Sequence, residues 1–400
     1  MTARPPVPVG RYLLFKSLKK GGMARVFLGL DPEVPGRLVA VKTLLPKLAG
    51  QKLHREMFQS EGKVGVRLVH PNIVRTLDHG VSDGTAFIAM EFIFGFDLST
   101  VLRRLRKEAR RIPIPLAVSL ARQVADALAY AHELSDEFGQ PLDIVNRDVS
   151  PGNIMVGFDG RVTLIDFGIA QTTIDVKSQI GSIKGKISYM APEQVRGLPV
   201  DHRCDLFSLG TVLYEMLTGV QVFHDEGDFA TMERVRRAEA PPPSTENAHI
   251  DAALDAICAR AMTREVVDRY PAARAMKRDL DAWLAGHAEA HEPEALAAFV
   301  RSLFDRQIDE MRSDIEAARQ VALGEAPGDP SDTAPSARRP PRLISEDTLA
   351  EMAGHGRDAD REPEASPPPP PPRPGRAPRW AFAALGLAAV AAFATWWALR

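Results

Sequence analysis

The chain has 400 residues, 45% of them hydrophobic and 26% charged, with a formal net charge of -2. That length holds one large domain or two ordinary ones with tails, and the near-neutral charge offers no basic surplus of the kind that marks nucleic-acid binding. Only Cys204 and Cys258 occur, too few for a disulfide framework or a zinc cluster, so a reducing cytosol is the expected compartment.

The opening stretch, MTARPPVPVGRYLLFKSLKKGG, lacks the apolar run of a signal peptide. From about residue 10 to 97 the pattern predicts short strands at Tyr12–Leu18, Val26–Leu30, Arg37–Thr43, Ile73–His79 and Ala86–Phe92. Turn signals at Gly21-Gly22, Pro35-Gly36 and Asp83-Gly84 punctuate them. A helix is expected over His54–Leu68. From Leu98 onward the period becomes helical. Pro115–Leu134 carries an apolar stripe at Leu116, Leu120, Val124, Leu128 and Ala131, and Leu206–Leu217 reads as a further buried helix. A strand-rich small half therefore precedes a helix-rich large half.

Beyond residue 285, Pro293–Val321 reads as a charged amphipathic helix. The plain expectation is an extra helix packed on the domain; the alternative is a partner or dimer helix. Gly324–Arg379 is rich in Pro, Ser, Ala and Arg, contains the run Pro367–Pro372, and is expected to be a disordered linker. Trp380–Leu399 has about 20 residues without a charge, the length of a membrane span, with tryptophans at both ends. Arg373, Arg376 and Arg379 precede it and a single arginine follows. The positive-inside rule then places the N-terminal side in the cytoplasm, which predicts a single-pass anchor in the inner membrane. Ala384, Ala388 and Ala392 lie four apart, a spacing compatible with helix pairing and a homodimer.

The residues that carry chemistry fall in four groups. Lys19-Lys20-Gly21-Gly22-Met23-Ala24-Arg25-Val26 is a small-residue turn between strands, where backbone amides can approach phosphate oxygens. Val39-Ala40-Val41-Lys42 ends an apolar strand on a charge. Asn146-Arg147-Asp148-Val149-Ser150-Pro151-Gly152-Asn153 holds an Asp and an Asn five apart on a loop, and Ile165-Asp166-Phe167-Gly168 ends the next strand. Oxygen ligands from two adjacent loops suit Mg²⁺, which prefers one or two carboxylates completed by substrate phosphates. Each piece alone has an ordinary reading as turn, surface lysine or helix cap; their joint spacing does not.

Taken in this order, the motifs resemble the protein kinase family, specifically the eukaryotic-like Ser/Thr kinases of bacteria, over about residues 10 to 285. The resemblance implies an α+β bilobal fold. A small antiparallel β-sheet lobe with one helix spans about 10–94, and a larger helical lobe about 95–285. A helical extension (286–323), the linker (324–379) and the transmembrane helix (380–399) follow. It implies Ser/Thr phosphotransfer from ATP with Mg²⁺, or Mn²⁺ in its place, to protein substrates. Lys42, paired with Glu61, would position the α/β-phosphates. Asn153 and Asp166 would hold the metal, and Asp148 would orient the acceptor hydroxyl. Gly21, Gly22, Val26 and Ala40 join Lys42, Met90, Glu91 and Ile93 as nucleotide-binding positions. Asp205 would brace the catalytic loop, and Arg269 would pair with Glu193.

Four departures stand against the family pattern. Lys19 and Ala24 replace the first and third glycines of the phosphate loop. Asn146 replaces the catalytic-loop histidine, which predicts weakened support of the metal loop. Ser150 stands where the loop lysine is expected, and Lys186 where a threonine is expected after Gly185. The last two form a pair, with Lys186 as the candidate to stabilise the transferred phosphate. Thr172, Thr173, Ser178 and Ser182 are candidate phosphorylation sites whose phosphate would pair with Arg147. An active membrane-anchored kinase is the leading reading, and a catalytically weak scaffold is the alternative.

Overall fold

In the small lobe, alternation along each strand decides what faces where. The computed structural model describes residues 6–167, 185–287 and 293–322. Six antiparallel strands take the order β1-β2-β3-β4-β6-β5: Val7–Val9, Tyr12–Lys20, Ala24–Asp31, Arg37–Leu44, Thr76–Ser82 and Thr85–Glu91 for β1 to β6. On β4, Val39 and Val41 are fully buried in a core with Tyr12, Leu14 and Phe27. The period of two turns Ala40 and Lys42 to the opposite face. The expected strand at Ile73–His79 begins later, at Thr76; Ile73 instead makes an isolated bridge to Leu164.

A short helix, α1 (Pro46–Ala49), leads to α2 (Lys52–Arg67). Two glycines let α2 lie close to β5. A Cβ on Gly62 would stand 2.7 Å from the His79 Cβ, and one on Gly65 2.5 Å from Thr76 Oγ1. That close approach brings Glu61, next to Gly62, to the sheet.

The large lobe is organised around α4 (Ile114–His132), which is buried along Leu116–Ala121, Val124, Ala125 and Ala127–Ala129. It packs between α6 (Arg203–Thr218) and α9 (Ala273–Ala285). The lobe also contains α3 (Leu98–Lys107), α5 (Pro192–Arg196), α7 (Asp228–Arg237) and α8 (Ala252–Ala261). A small sheet of β7 (Gly95–Asp97), β8 (Ile154–Gly157) and β9 (Val162–Leu164) lies under the cleft. Asp148 lies on the loop entering β8, and Asp166 just follows β9.

The final helix, α10 (Pro293–Ala322), leaves helical geometry at Phe304 (φ -135°, ψ 22°). It packs on the domain, as the plain reading expected: Leu296, Val300, Leu303, Phe304 and Ile308 join the large-lobe core. Thr172, Thr173, Ser178, Ser182, the linker and the 380–399 segment lie outside the described residues. Among the described residues, no helix is long and apolar enough to cross a membrane.

One buried ion pair ties α5 to the loop before α9. Both Arg269 terminal nitrogens lie 2.7 Å from the two Glu193 oxygens, and Arg269 is only 2% exposed. Removing one partner strands a charge in the interior. Arg269→Ala is expected to lower unfolding free energy by about 3–5 kcal/mol in urea denaturation.

Candidate active site

Lys42, Glu61 and Asp166 meet where the lobes face each other. Lys42 Nζ lies 2.6 Å from Glu61 Oε1 and 3.0 Å from Asp166 Oδ1. Burial alone would push the Lys42 ammonium pKa down, but the two carboxylates outweigh it and hold it above its ordinary value. Burial and the neighbouring Asp166 raise Glu61 against the pull of Lys42. Asp166 moves the other way: burial would raise it, yet Lys42, Lys186 and Lys19 together hold it below the usual carboxylate range. An ionised Asp166 in a field of three lysines suits a site for a metal-bound polyphosphate.

The catalytic-loop backbone is set by the buried Asp205 on α6. Its carboxylate accepts from the Asn146 amide at 2.8 Å and the Arg147 amide at 2.7 Å, and lies 2.8 Å from His132 Nε2. These bonds hold Arg147 at φ 63°, a left-handed conformation unfavourable for its Cβ. Gln194, after the Glu193 anchor, donates to the Arg147 carbonyl at 3.0 Å. His132 and Gln194 were not singled out in the sequence. Neither position carries a local sequence signal: His132 ends α4 and Gln194 lies in the short polar helix Pro192–Arg196.

Asp148 is the next residue. Its Oδ2 accepts from Asn153 Nδ2 at 2.8 Å and from Lys186 Nζ at 2.5 Å. Asn153 spends its amide nitrogen on Asp148, including the main-chain oxygen at 2.9 Å. Its main-chain carbonyl accepts from the Ile165 amide at 2.8 Å, while its side-chain oxygen, Oδ1, makes no hydrogen bond among the described residues. That oxygen and the Asp166 carboxylate form a hard oxygen pair that fits Mg²⁺ once phosphates supply further ligands. Asp166 also has a positive φ, 57°, in the same strained region.

The departures have structural answers. Asn146 is fully buried; its Nδ2 donates to the Asp166 carbonyl at 3.3 Å and its Oδ1 accepts from the Asp148 amide at 3.0 Å. An amide side chain thus links the two loops, a tie that the expectation of weakened support did not anticipate. Ser150 is buried, with its hydroxyl unpartnered among the described residues. Lys19 reaches across the cleft: its Nζ donates to the Gly152 carbonyl at 2.9 Å and lies 3.5 Å from Asp97. The turn itself is closed by the Gly21 amide donating to the Ala24 carbonyl at 2.8 Å.

The expected nucleotide-binding positions gather on one side of the small lobe. Val26 pairs in register with Lys42, and Ala40 with Met90. Ala40 and Ile93 pack against a cluster containing Ala24 and Met90. Gly22 lies in the same β2–β3 turn as Gly21. Glu91 differs, because its carboxylate is held by Arg161 at 2.7 and 3.1 Å and by the Arg75 amide at 3.0 Å. Any part it takes in nucleotide binding falls to its backbone.

Comparison with known proteins agrees with this geometry. The family described as protein kinase domain matches residues 12–280. The tyrosine-protein kinase MasK of Myxococcus xanthus is 37% identical over 80% of this chain and 52% of its own length. That match is too long for residues 12–280 alone and runs on through most of α10. The serine/threonine-protein kinase PknE of Mycobacterium tuberculosis is 36% identical over 67% of this chain and 45% of its own. The chain thus spans about half the length of these relatives. Among solved structures, the Mycobacterium tuberculosis PknI kinase domain superposes with a TM-score of 0.54 at 28% identity, covering 70% of this chain and 99% of that one. The chain belongs to the protein kinase family, and its relatives here are eukaryotic-like kinases of bacteria.

Proposed function

We propose that this chain transfers the γ-phosphate of ATP to serine or threonine hydroxyls of protein substrates, itself included. The observation that carries the reading is the intact pair of linked clusters, Lys42–Glu61–Asp166 and Asp148–Asn153–Lys186. A scaffold has no need for both. Phosphoryl transfer asks little covalent chemistry of the protein, so positioning and charge neutralisation carry the rate.

Lys42 would hold the α/β-phosphates, fixed in direction by Glu61. Asp166 and the Asn153 amide oxygen would hold Mg²⁺, which neutralises charge on the phosphates when bound. Asp148 Oδ2 would accept the hydrogen bond of the acceptor hydroxyl and then its proton. Lys186, beside that same oxygen, would supply the positive charge that Ser150 cannot.

Arg147 Nε is buried without a partner among the described residues, which supports pairing with a phosphate on Thr172, Thr173, Ser178 or Ser182. Anchoring of the kinase domain at the cytoplasmic face of the inner membrane by 380–399 is part of the same reading. The tyrosine acceptor in the MasK name, together with loss of the usual lysine at Ser150, makes a tyrosine peptide the necessary control substrate.

In the full chain with Mg-ATP, autophosphorylation is expected for the wild type and its loss for Asp148→Asn; equal incorporation by both would refute the assignment. Lys186→Ala is expected to lower kcat on a serine/threonine peptide by about 10²-fold, the scale of removing one preorganised charge stabiliser. Unchanged kcat would remove Lys186 from the mechanism.

Lys42→Ala is expected to cost about 3 kcal/mol of stability near neutral pH, because Glu61 and Asp166 then face each other unpaired. Glu61, already raised by burial and Asp166, then loses the opposing pull of Lys42 and holds its proton more tightly folded than unfolded. Stability of this variant should therefore rise as pH falls from 7 toward 5, relative to wild type. Melting temperatures of the two proteins across that range check the sign.

A further inference from the structure

Strand β2 carries two links to the rest of the protein that leave the small lobe. At its end, Lys19 crosses to the Gly152 carbonyl of the catalytic loop. Near its middle, Lys16 forms an ion pair with Asp314 of α10. The ladder to β3 shifts register between Leu14 and Lys16 and again between Ser17 and Lys19. Beside Lys16, Phe15 is buried against Ile315 and Ala318 of α10, together with Leu28 and Leu30 of β3.

The other half of the same helix belongs to the large lobe. Phe304 packs on Phe96 with ring centroids 4.5 Å apart. Arg301 Nε donates to the Phe158 carbonyl at the β8–β9 turn, 2.6 Å away. Phe92 and Phe94, in the segment joining the lobes, pack against the same apolar cluster as Ile315. One helix therefore holds both lobes behind that segment, and its small-lobe anchor sits on the strand that leads into the phosphate turn.

We propose that α10 is an interlobe strap that sets the pitch of the β2–β3 turn over the nucleotide cleft, with Asp314 and Ile315 as positioning residues. The inference rests on the nucleotide reading of the cleft for its effect on ATP, and on packing alone for its effect on β2. Rotation of the small lobe must either carry the C-terminal half of α10 with it or break the Phe15–Ile315 contact and the Lys16–Asp314 pair. Fixing that lobe makes the turn meet the phosphates in one geometry, and loosening it costs nucleotide affinity before it costs chemistry.

The test uses the full chain and four variants: Asp314→Lys, Lys16→Asp, the double exchange, and Ile315→Glu. Either charge reversal is expected to raise KM for ATP about three- to tenfold, with kcat within about twofold, the scale of one half-buried ion pair. The double exchange should return KM to within about twofold of wild type, which a general loss of stability would not do. Hydrogen exchange of residues 12–31 should speed up in Ile315→Glu and in both single reversals, whether or not nucleotide is present. Unchanged exchange in all three would overturn the strap. So would faster exchange with KM for ATP unaltered, or a double exchange no better than the single variants. Absence of any Mg-ATP binding by wild type, measured calorimetrically, would instead count against the nucleotide reading, and the exchange data would still judge the strap.

Discussion

The Lys42 ammonium is the point on which the site depends. It gathers a strand (β4), a helix (α2) and the metal-loop carboxylate from the other lobe within hydrogen-bond reach. A buried cation with two carboxylates leaves little freedom, because losing any one partner strands a charge in a poorly solvated place. The close packing of α2 through Gly62 and Gly65 is what allows Glu61 to arrive. A bulkier residue there would hold the helix off the sheet and Glu61 away from Lys42.

A second constraint fixes the catalytic loop from below. Asp205 takes two consecutive backbone amides and holds Arg147 in a conformation that it would not adopt alone. Such strain persists only where the surroundings over-determine it. Here Asp205, Gln194 and the Glu193–Arg269 pair do so. The loop that carries Asp148 and Asn153 is thus held in place by side chains of α5 and α6.

Lysines that the family pattern does not place there surround Asp148 and Asp166. Ser150 is buried and neutral, while Lys186 lies against Asp148 and adds to the field that keeps Asp166 ionised. Lys19 contributes to that field from the opposite lobe, where a glycine would contribute none. Asn146 keeps the two loops joined with an amide in place of an imidazole.

By itself the sequence determined the order of elements, the lobe division and the identity of the chemical groups. The Val39–Lys42 run ended an apolar strand on a charge, and the Asp-Asn and Asp-Phe-Gly spacings marked the candidate oxygen ligands. The stripe in 293–321 foretold a packed helix but not its target. Tertiary structure alone decided that Lys186 meets Asp148, that Lys19 crosses to Gly152, that the Glu91 side chain is held by Arg161, and that α10 grips both lobes. These are contacts between residues far apart in the chain. Local pattern carries the period of a face, while which distant face it meets is settled only by packing of the whole.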